Sequence, residues 1–137
     1  MKKTVLIFFL ITTLHASDNK KASEIFNFIV KVITKKENSN VYIHTNISSL
    51  KVYSGSLRIV ADCDKADLVL LSTTKNLPPE CNKKILFGSR YSHLKNPNVI
   101  GSFFWQKGRP NILFYQKRLK KHNINLDTSF NRYIENK

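Results

Sequence analysis

The side chains that could support acid–base or nucleophilic chemistry are few and scattered in this sequence. His44, His93 and His122 lie far apart along the chain. Ser92 directly precedes His93, but sequence neighbours do not define a catalytic dyad, because nucleophile and base must meet in space. The GxSxG, HExxH and phosphate-loop patterns are absent from the sequence. We therefore expect no catalytic centre, no enzymatic activity and no cofactor.

Three carboxylates form the densest acidic group, in the segment DCDKAD. Asp62 and Asp64 share one side of an extended segment, so a weak cation site is conceivable there, with Asp67 close by. The glycine and the terminal glutamate of a calcium loop are missing. We expect a solvated entry to a strand, and no bound metal.

The N-terminal segment MKKTVLIFFLITTLHAS has the order of a secretory signal peptide. Lys2 and Lys3 are followed by an apolar run from Thr4 to Leu14, and then by small residues. An uncleaved membrane anchor is the alternative, but this run is shorter than the roughly 20 residues that span a bilayer. We expect cleavage after Ala16, export to the periplasm, and one domain over residues 17–137.

The two cysteines, Cys63 and Cys81, are too far apart for a redox CxxC pair, and no clustered histidines accompany them for zinc. An even cysteine count in an exported protein predicts a disulfide. Whether such a bridge is structural or redox-responsive stays open at this level.

The net charge of +14 favours an anionic partner or an anionic lipid surface. Export argues against nucleic acid. The lysines are spread along the chain, which is typical of a solvated surface, and the Lys, Asn and Ile content is typical of an AT-rich genome.

The elements before residue 90 predict an α/β domain. Apolar residues at helical spacing predict a helix from Ser23 to about Lys35. VYIHT (41–45) predicts a short strand, and another is expected around Leu57 and Ile59. The continuous apolar runs ADLVLLS (66–72) and KKILFGS (83–89) are typical of parallel strands covered on both faces.

The segment GSFFWQKGRPNILFY (101–115) predicts a β-hairpin. Val99 to Trp105 and Asn111 to Tyr115 would form its strands, with Phe103 and Trp105 on one face and Ser102 and Phe104 on the other. The flanks would be core. The exposed tip is the predicted partner-binding surface, formed by Trp105, Gln106, Lys107 and Arg109. Two C-terminal helices follow, the first basic and the second opening at Asp127. The whole is a mainly parallel sheet flanked by helices that ends in the antiparallel hairpin and these two helices.

This order of segments resembles the YfiR-like family of small periplasmic proteins. The segments that carry the resemblance are KADLVLL, ILFGS, VIGSFFWQKGRPNILF and QKRLKKHNINL, with Gly101 and residues 111–114 at the family's glycine and following strand. The Trp-Pro pair common after the family's first helix is missing here. The resemblance implies a non-catalytic regulator that binds the periplasmic sensor region of an inner-membrane signalling protein, commonly a diguanylate cyclase. It also associates disulfides with stability and switching.

Two other functions remain open. A small-anion solute-binding protein would use polar residues at the carboxyl ends of the predicted parallel strands: Ser72, Thr73, Thr74, Ser89 and Arg90. A basic envelope protein would bind anionic lipid or glycan weakly and in a salt-sensitive manner. The sequence does not define the oligomeric state.

Overall fold

A seven-stranded sheet in the order β2-β1-β3-β4-β5-β6-β7 forms the centre of the computed structural model. The structure describes residues 2–137, with side chains from Asp18 onward except that of Val52. The strands are β1 (Asn40–His44), β2 (Arg58–Ile59), β3 (Leu68–Leu71), β4 (Leu86–Gly88), β5 (Val99–Gln106), β6 (Arg109–Tyr115) and β7 (Ile134–Glu135).

The first five strands are parallel, β6 is antiparallel to β5, and β7 is parallel to β6. The predicted α/β class with a mainly parallel sheet and an antiparallel hairpin is confirmed. All residues of β3 and β4 are buried. Their unbroken apolar runs reflect this, because neither face of a covered parallel strand meets water.

One face of the sheet is covered by α1 (Lys2–Thr34). Phe26, Ile29, Val30 and Ile33 of this helix are buried in the larger of two core clusters. The helix begins well before Ser23, so the predicted start at Ser23 is wrong. No glycine or proline interrupts the preceding residues, and the Ser23 hydroxyl donates a hydrogen bond to the Tyr53 carbonyl oxygen instead of capping the helix. The predicted cleavage position after Ala16 falls within α1.

The opposite face is covered by three short 3-10 turns, Cys63–Lys65, Pro79–Lys83 and Tyr91–Lys95. A disulfide between Cys63 and Cys81 joins the first two turns, with the Cα atoms 5.2 Å apart. The predicted bridge is therefore confirmed. Both cysteines pack against the second core cluster, which includes Val69, Leu71, Leu86 and Val99. The bridge links two of the turns that cover this face and so restrains them against the sheet.

Two further helices are α2 (Ser48–Val52), which the sequence analysis did not predict, and α3 (Gln116–Lys121), the predicted basic helix. The last predicted helix is a 3-10 helix, Thr128–Tyr133. Asp127 caps it as expected, accepting a hydrogen bond from the Ser129 N–H at 3.2 Å. The chain then adds β7 to the sheet edge. Among the described residues, no helix is long and apolar enough to cross a membrane.

Candidate functional site

A two-residue turn closes the hairpin at Lys107 and Gly108, where Gln106 pairs with Arg109 across the strands. Both turn residues have positive φ, 53° for Lys107 and 73° for Gly108. Positive φ at both central positions is typical of a type I′ turn, whose twist matches that of the flanking strands. Glycine adopts this conformation without steric cost, whereas lysine does so rarely.

The hairpin extends beyond the neighbouring strand. β4 ends at Gly88, which pairs with Ser102, and β5 continues from there to Gln106. At about 3.3 Å per residue the four further residues extend about 13 Å past the end of β4. Another molecule can therefore reach the tip without displacing other elements.

Aromatic contacts on both faces support the base of this hairpin. Phe103 is buried and lies edge-on to Phe26 of α1, with ring centroids 5.1 Å apart, and to Trp105, 5.8 Å away. On the other face Phe104 packs against Tyr91, 5.3 Å away. The predicted division between the faces is confirmed. Trp105 is 43% exposed, so the tryptophan stands at the boundary between core and solvent.

The polar residues of the predicted partner-binding surface lie together at the tip. Gln106, Lys107 and Arg109 are exposed, and with Pro110 and Asn111 they line a shallow depression of about 490 Å³. The basic helix α3 follows the far end of β6, so it lies at the opposite end of that strand from the tip. The tip and α3 therefore do not form a single basic surface.

The predicted anion-binding residues lie at the carboxyl ends of β3 and β4. A cleft of about 430 Å³ there is lined by Ser72, Thr73, Thr74, Lys75, Arg90, Ser92 and His93. Ser89 does not line it, because its hydroxyl donates a 2.5 Å hydrogen bond to the Leu71 carbonyl oxygen and ties β4 to β3. The structure thus brings four of the five predicted residues together and adds Lys75, Ser92 and His93.

Two buried histidines hold the walls of this cleft, and the sequence analysis did not assign them. Nδ1 of His93 accepts a hydrogen bond from the Ser89 N–H at 3.0 Å, just after β4. Nε2 of His44 lies 2.7 Å from the Lys75 carbonyl oxygen. Burial, together with the nearby Arg90, lowers the pKa of His93. The only indication of this role in the sequence is that His44 lies at the end of one predicted strand and His93 lies shortly after another.

In the acidic segment Asp62 and Asp64 are exposed, and Asp67 has a structural role. Asp67 accepts hydrogen bonds from Lys36 Nζ at 2.7 Å and from the Asn40 N–H at 2.9 Å. Burial raises the pKa of this carboxyl, but these two hydrogen bonds and the positive charge of Lys36 outweigh burial and lower it. Within the described part of the chain, no group of three or more His, Cys, Asp or Glu side chains is arranged to hold a metal ion.

A third depression, of about 460 Å³, lies between α1 and the turn after α2, and the sequence analysis did not anticipate it. It is mainly apolar, with Phe28 and Tyr53 in its wall, and Phe28 is 56% exposed. Gly55 lies against Asn27 here, since a Cβ at this glycine would come within 2.6 Å of Asn27 Oδ1.

No protein-family model matches the chain, and no curated protein matches it significantly. Among solved structures, the fold is similar to the crystal structure of a conserved domain protein from Vibrio cholerae O1 biovar El Tor strain N16961. The TM-score is 0.53 at 10% identity, over 82% of this chain. The chain spans 58% of that protein's length. At this identity the likeness shows the fold alone.

Proposed function

We propose that this protein is an exported, non-catalytic binding protein whose hairpin tip binds an acidic surface of a partner protein. The YfiR-like resemblance of the sequence suggests the partner class, the periplasmic sensor region of an inner-membrane signalling protein. The signal-peptide pattern and the Cys63–Cys81 bridge support a periplasmic location, since such bridges persist in oxidising compartments.

The observation that carries this proposal is the lysine in the hairpin turn. Type I′ turns favour Asn-Gly or Asp-Gly, because those residues adopt positive φ readily. Here Lys107 holds φ 53° and has Arg109 two residues away. A lysine in an unfavourable backbone conformation at an exposed tip does not stabilise the fold. We therefore infer that this lysine serves to bind a partner.

Trp105 supplies the second half of the proposed surface. Its half-exposed ring is fixed against Phe103, so little side-chain freedom would be lost on binding. Tryptophan and arginine are enriched among the residues that dominate binding energy. Arg109 can pair with a carboxylate through two parallel hydrogen bonds, and Lys107 adds a point charge that steers an acidic partner.

Chemical crosslinking in cells, followed by mass spectrometry of the captured proteins, tests the proposal. Lys107→Glu combined with Arg109→Glu reverses the charge of the tip. Lys83→Glu combined with Lys95→Glu makes the same charge change at exposed residues of the 3-10 turns, at the end of the sheet opposite the hairpin tip. The wild type and the control pair should capture the same inner-membrane protein, and the tip variant should lose it.

Equal capture by both double variants would place the binding surface elsewhere. Capture of abundant envelope components alone would favour weak binding of a basic protein to anionic lipid or glycan. That binding would fall in both double variants alike, because it depends on total charge.

A further inference from the structure

We propose a second binding site, for a small molecule that carries a phosphate or carboxylate group, in the cleft at the carboxyl ends of β3 and β4. It is separate from the hairpin tip and does not depend on the partner-binding function. The cleft of about 430 Å³ falls in the size range of small-molecule sites.

The cleft lies next to the point where the strand order of the sheet reverses, between β1 and β3. The chain moves from β1 outward to β2 on one side and returns to β3 on the other. In such sheets the connections leave the carboxyl ends of the two central strands in opposite directions, and a crevice opens beside them. The cleft lies one strand further along the sheet, where residues 72–75 after β3 form one wall and residues 90–93 after β4 form the other.

The walls of the cleft are held in place by buried hydrogen bonds. His44 fixes the loop after β3 to the end of β1 through the Lys75 carbonyl oxygen. His93 fixes the segment after β4 through the Ser89 N–H, and the Ser102 hydroxyl donates to the Arg90 carbonyl oxygen at 2.8 Å. His44, His93 and Ser102 are all buried. A site whose backbone is fixed beforehand loses less entropy when it binds a ligand.

The chemistry of the lining fits an anion. Lys75 and Arg90 contribute positive charge from opposite walls, and hydroxyls come from Ser72, Thr73, Thr74 and Ser92. None of the described residues that line the cleft carries a carboxylate. Arginine and hydroxyl groups are donors to phosphate and carboxylate oxygens, and hydrogen bonds to a charged oxygen are about twice as strong as neutral ones.

Isothermal titration calorimetry with inorganic phosphate and, separately, with succinate tests the proposal at fixed ionic strength. Arg90→Gln and Lys75→Gln each remove one cation from the cleft. Lys95→Gln is the control, since it removes one cation from the far end of the same 3-10 turn that contains His93. Circular dichroism melting of each variant reports whether it is folded.

We expect saturable binding of at least one probe by the wild type and by Lys95→Gln. Binding should be about ten- to a hundredfold weaker in Arg90→Gln and in Lys75→Gln. A preference for phosphate or for succinate identifies the head group. Absence of saturable binding of both probes to folded wild type, or equal weakening in the control, would overturn the proposal. Either result would leave partner capture by the hairpin tip unaffected.

Discussion

At the residue scale, the cleft depends on one glycine and one histidine that touch each other. A Cβ at Gly88 would come within 2.7 Å of His93 Cβ and 2.8 Å of Ser102 Oγ. Only glycine therefore lets the 3-10 turn that carries His93 close over the end of β4. The sequence shows the glycine in ILFGS, but not what it packs against, because that contact depends on the register between β4 and β5.

His93 should make folding stability depend on pH. Burial holds its pKa in the folded protein below the ordinary value of 6.5. A lowered pKa means that the unfolded chain takes up a proton first, so stability is greatest above about pH 6.5 and falls as the pH drops through the folded pKa. His93→Asn keeps an acceptor for the Ser89 N–H but cannot titrate.

Urea unfolding across a pH series from about 7.5 to 5 measures this effect. We expect His93→Asn to be less stable than wild type near neutrality and to lose less stability on acidification. Some pH dependence should remain, because burial also lowers the pKa of His122. Parallel pH profiles for the variant and the wild type would show that His93 does not contribute.

At the element scale, the hairpin and the disulfide-linked 3-10 turns have different roles. The hairpin strands belong to the core up to Phe103 and leave it at Trp105. The turns replace the helices that usually cover the second face of a parallel sheet. Such short segments make few contacts with the sheet, so they need a further restraint to stay packed on this face. The disulfide between Cys63 and Cys81 provides that restraint.

Removal of the bridge should lower stability substantially. It closes a loop with a sequence separation of 18, and the loop-entropy model gives about 3 kcal/mol for a bridge of that size. For a domain of this length that is a fall in Tm of roughly 10 °C. Thermal unfolding of the Cys63→Ser, Cys81→Ser variant measures the change, and an unchanged Tm would show that the turns hold the second face without the bridge.

Lys107→Asn should separate stability from binding at the hairpin turn. Asparagine tolerates positive φ better than lysine, so this variant should be more stable than wild type by roughly 1 kcal/mol. Arg109→Asn also removes one charge, but from a strand position, and should give no such gain. Urea unfolding gives the stability, and crosslinking yield gives the binding. Lower stability for Lys107→Asn would contradict the strain on which the proposed function rests.

Much of the element order is readable from the sequence, because β3, β4 and the hairpin strands have strong local patterns. The buried run LVLL and the Lys-Gly turn are examples. β7 and α2 were missed because each is short and depends on distant contacts, such as the pairing of Ile134 with Phe114. For the cleft, hydroxyls and Arg90 could be proposed from strand ends. The hydrogen bonds by which His44 and His93 hold the cleft walls could not, since they depend on how the loops after the strands pack.

At the scale of the whole molecule, the net charge overstates the cations available for binding. Arg118 of α3 is an example, because its Nη1 donates to the carbonyl oxygens of Leu94, Asn96 and Val99 at 2.9, 3.0 and 2.8 Å. Its guanidinium also lies over the Tyr115 ring, 4.5 Å from the centroid. Burial lowers the pKa of Arg118, and its charge serves to join α3 to the start of β5.

The two proposed sites lie at the same end of the sheet. β3, β4 and β5 are parallel. The cleft at the carboxyl ends of β3 and β4 and the hairpin tip beyond β4 therefore lie at the same end of the strands. Tyr91, next to Arg90 of the cleft wall, packs against Phe104 of the hairpin. We therefore expect function at this end of the sheet, whereas α3 lies at the opposite end.

Photo-crosslinking from single positions in cells tests this placement most directly. A photoreactive residue would replace Gln106 at the tip, Lys95 in the 3-10 turn, or Lys120 in α3, all of them exposed. We predict one strong adduct with an inner-membrane protein from position 106, and none from positions 95 and 120. The same adduct from position 120 but not from position 106 would contradict the account, because it would move the binding surface to the opposite end of the molecule.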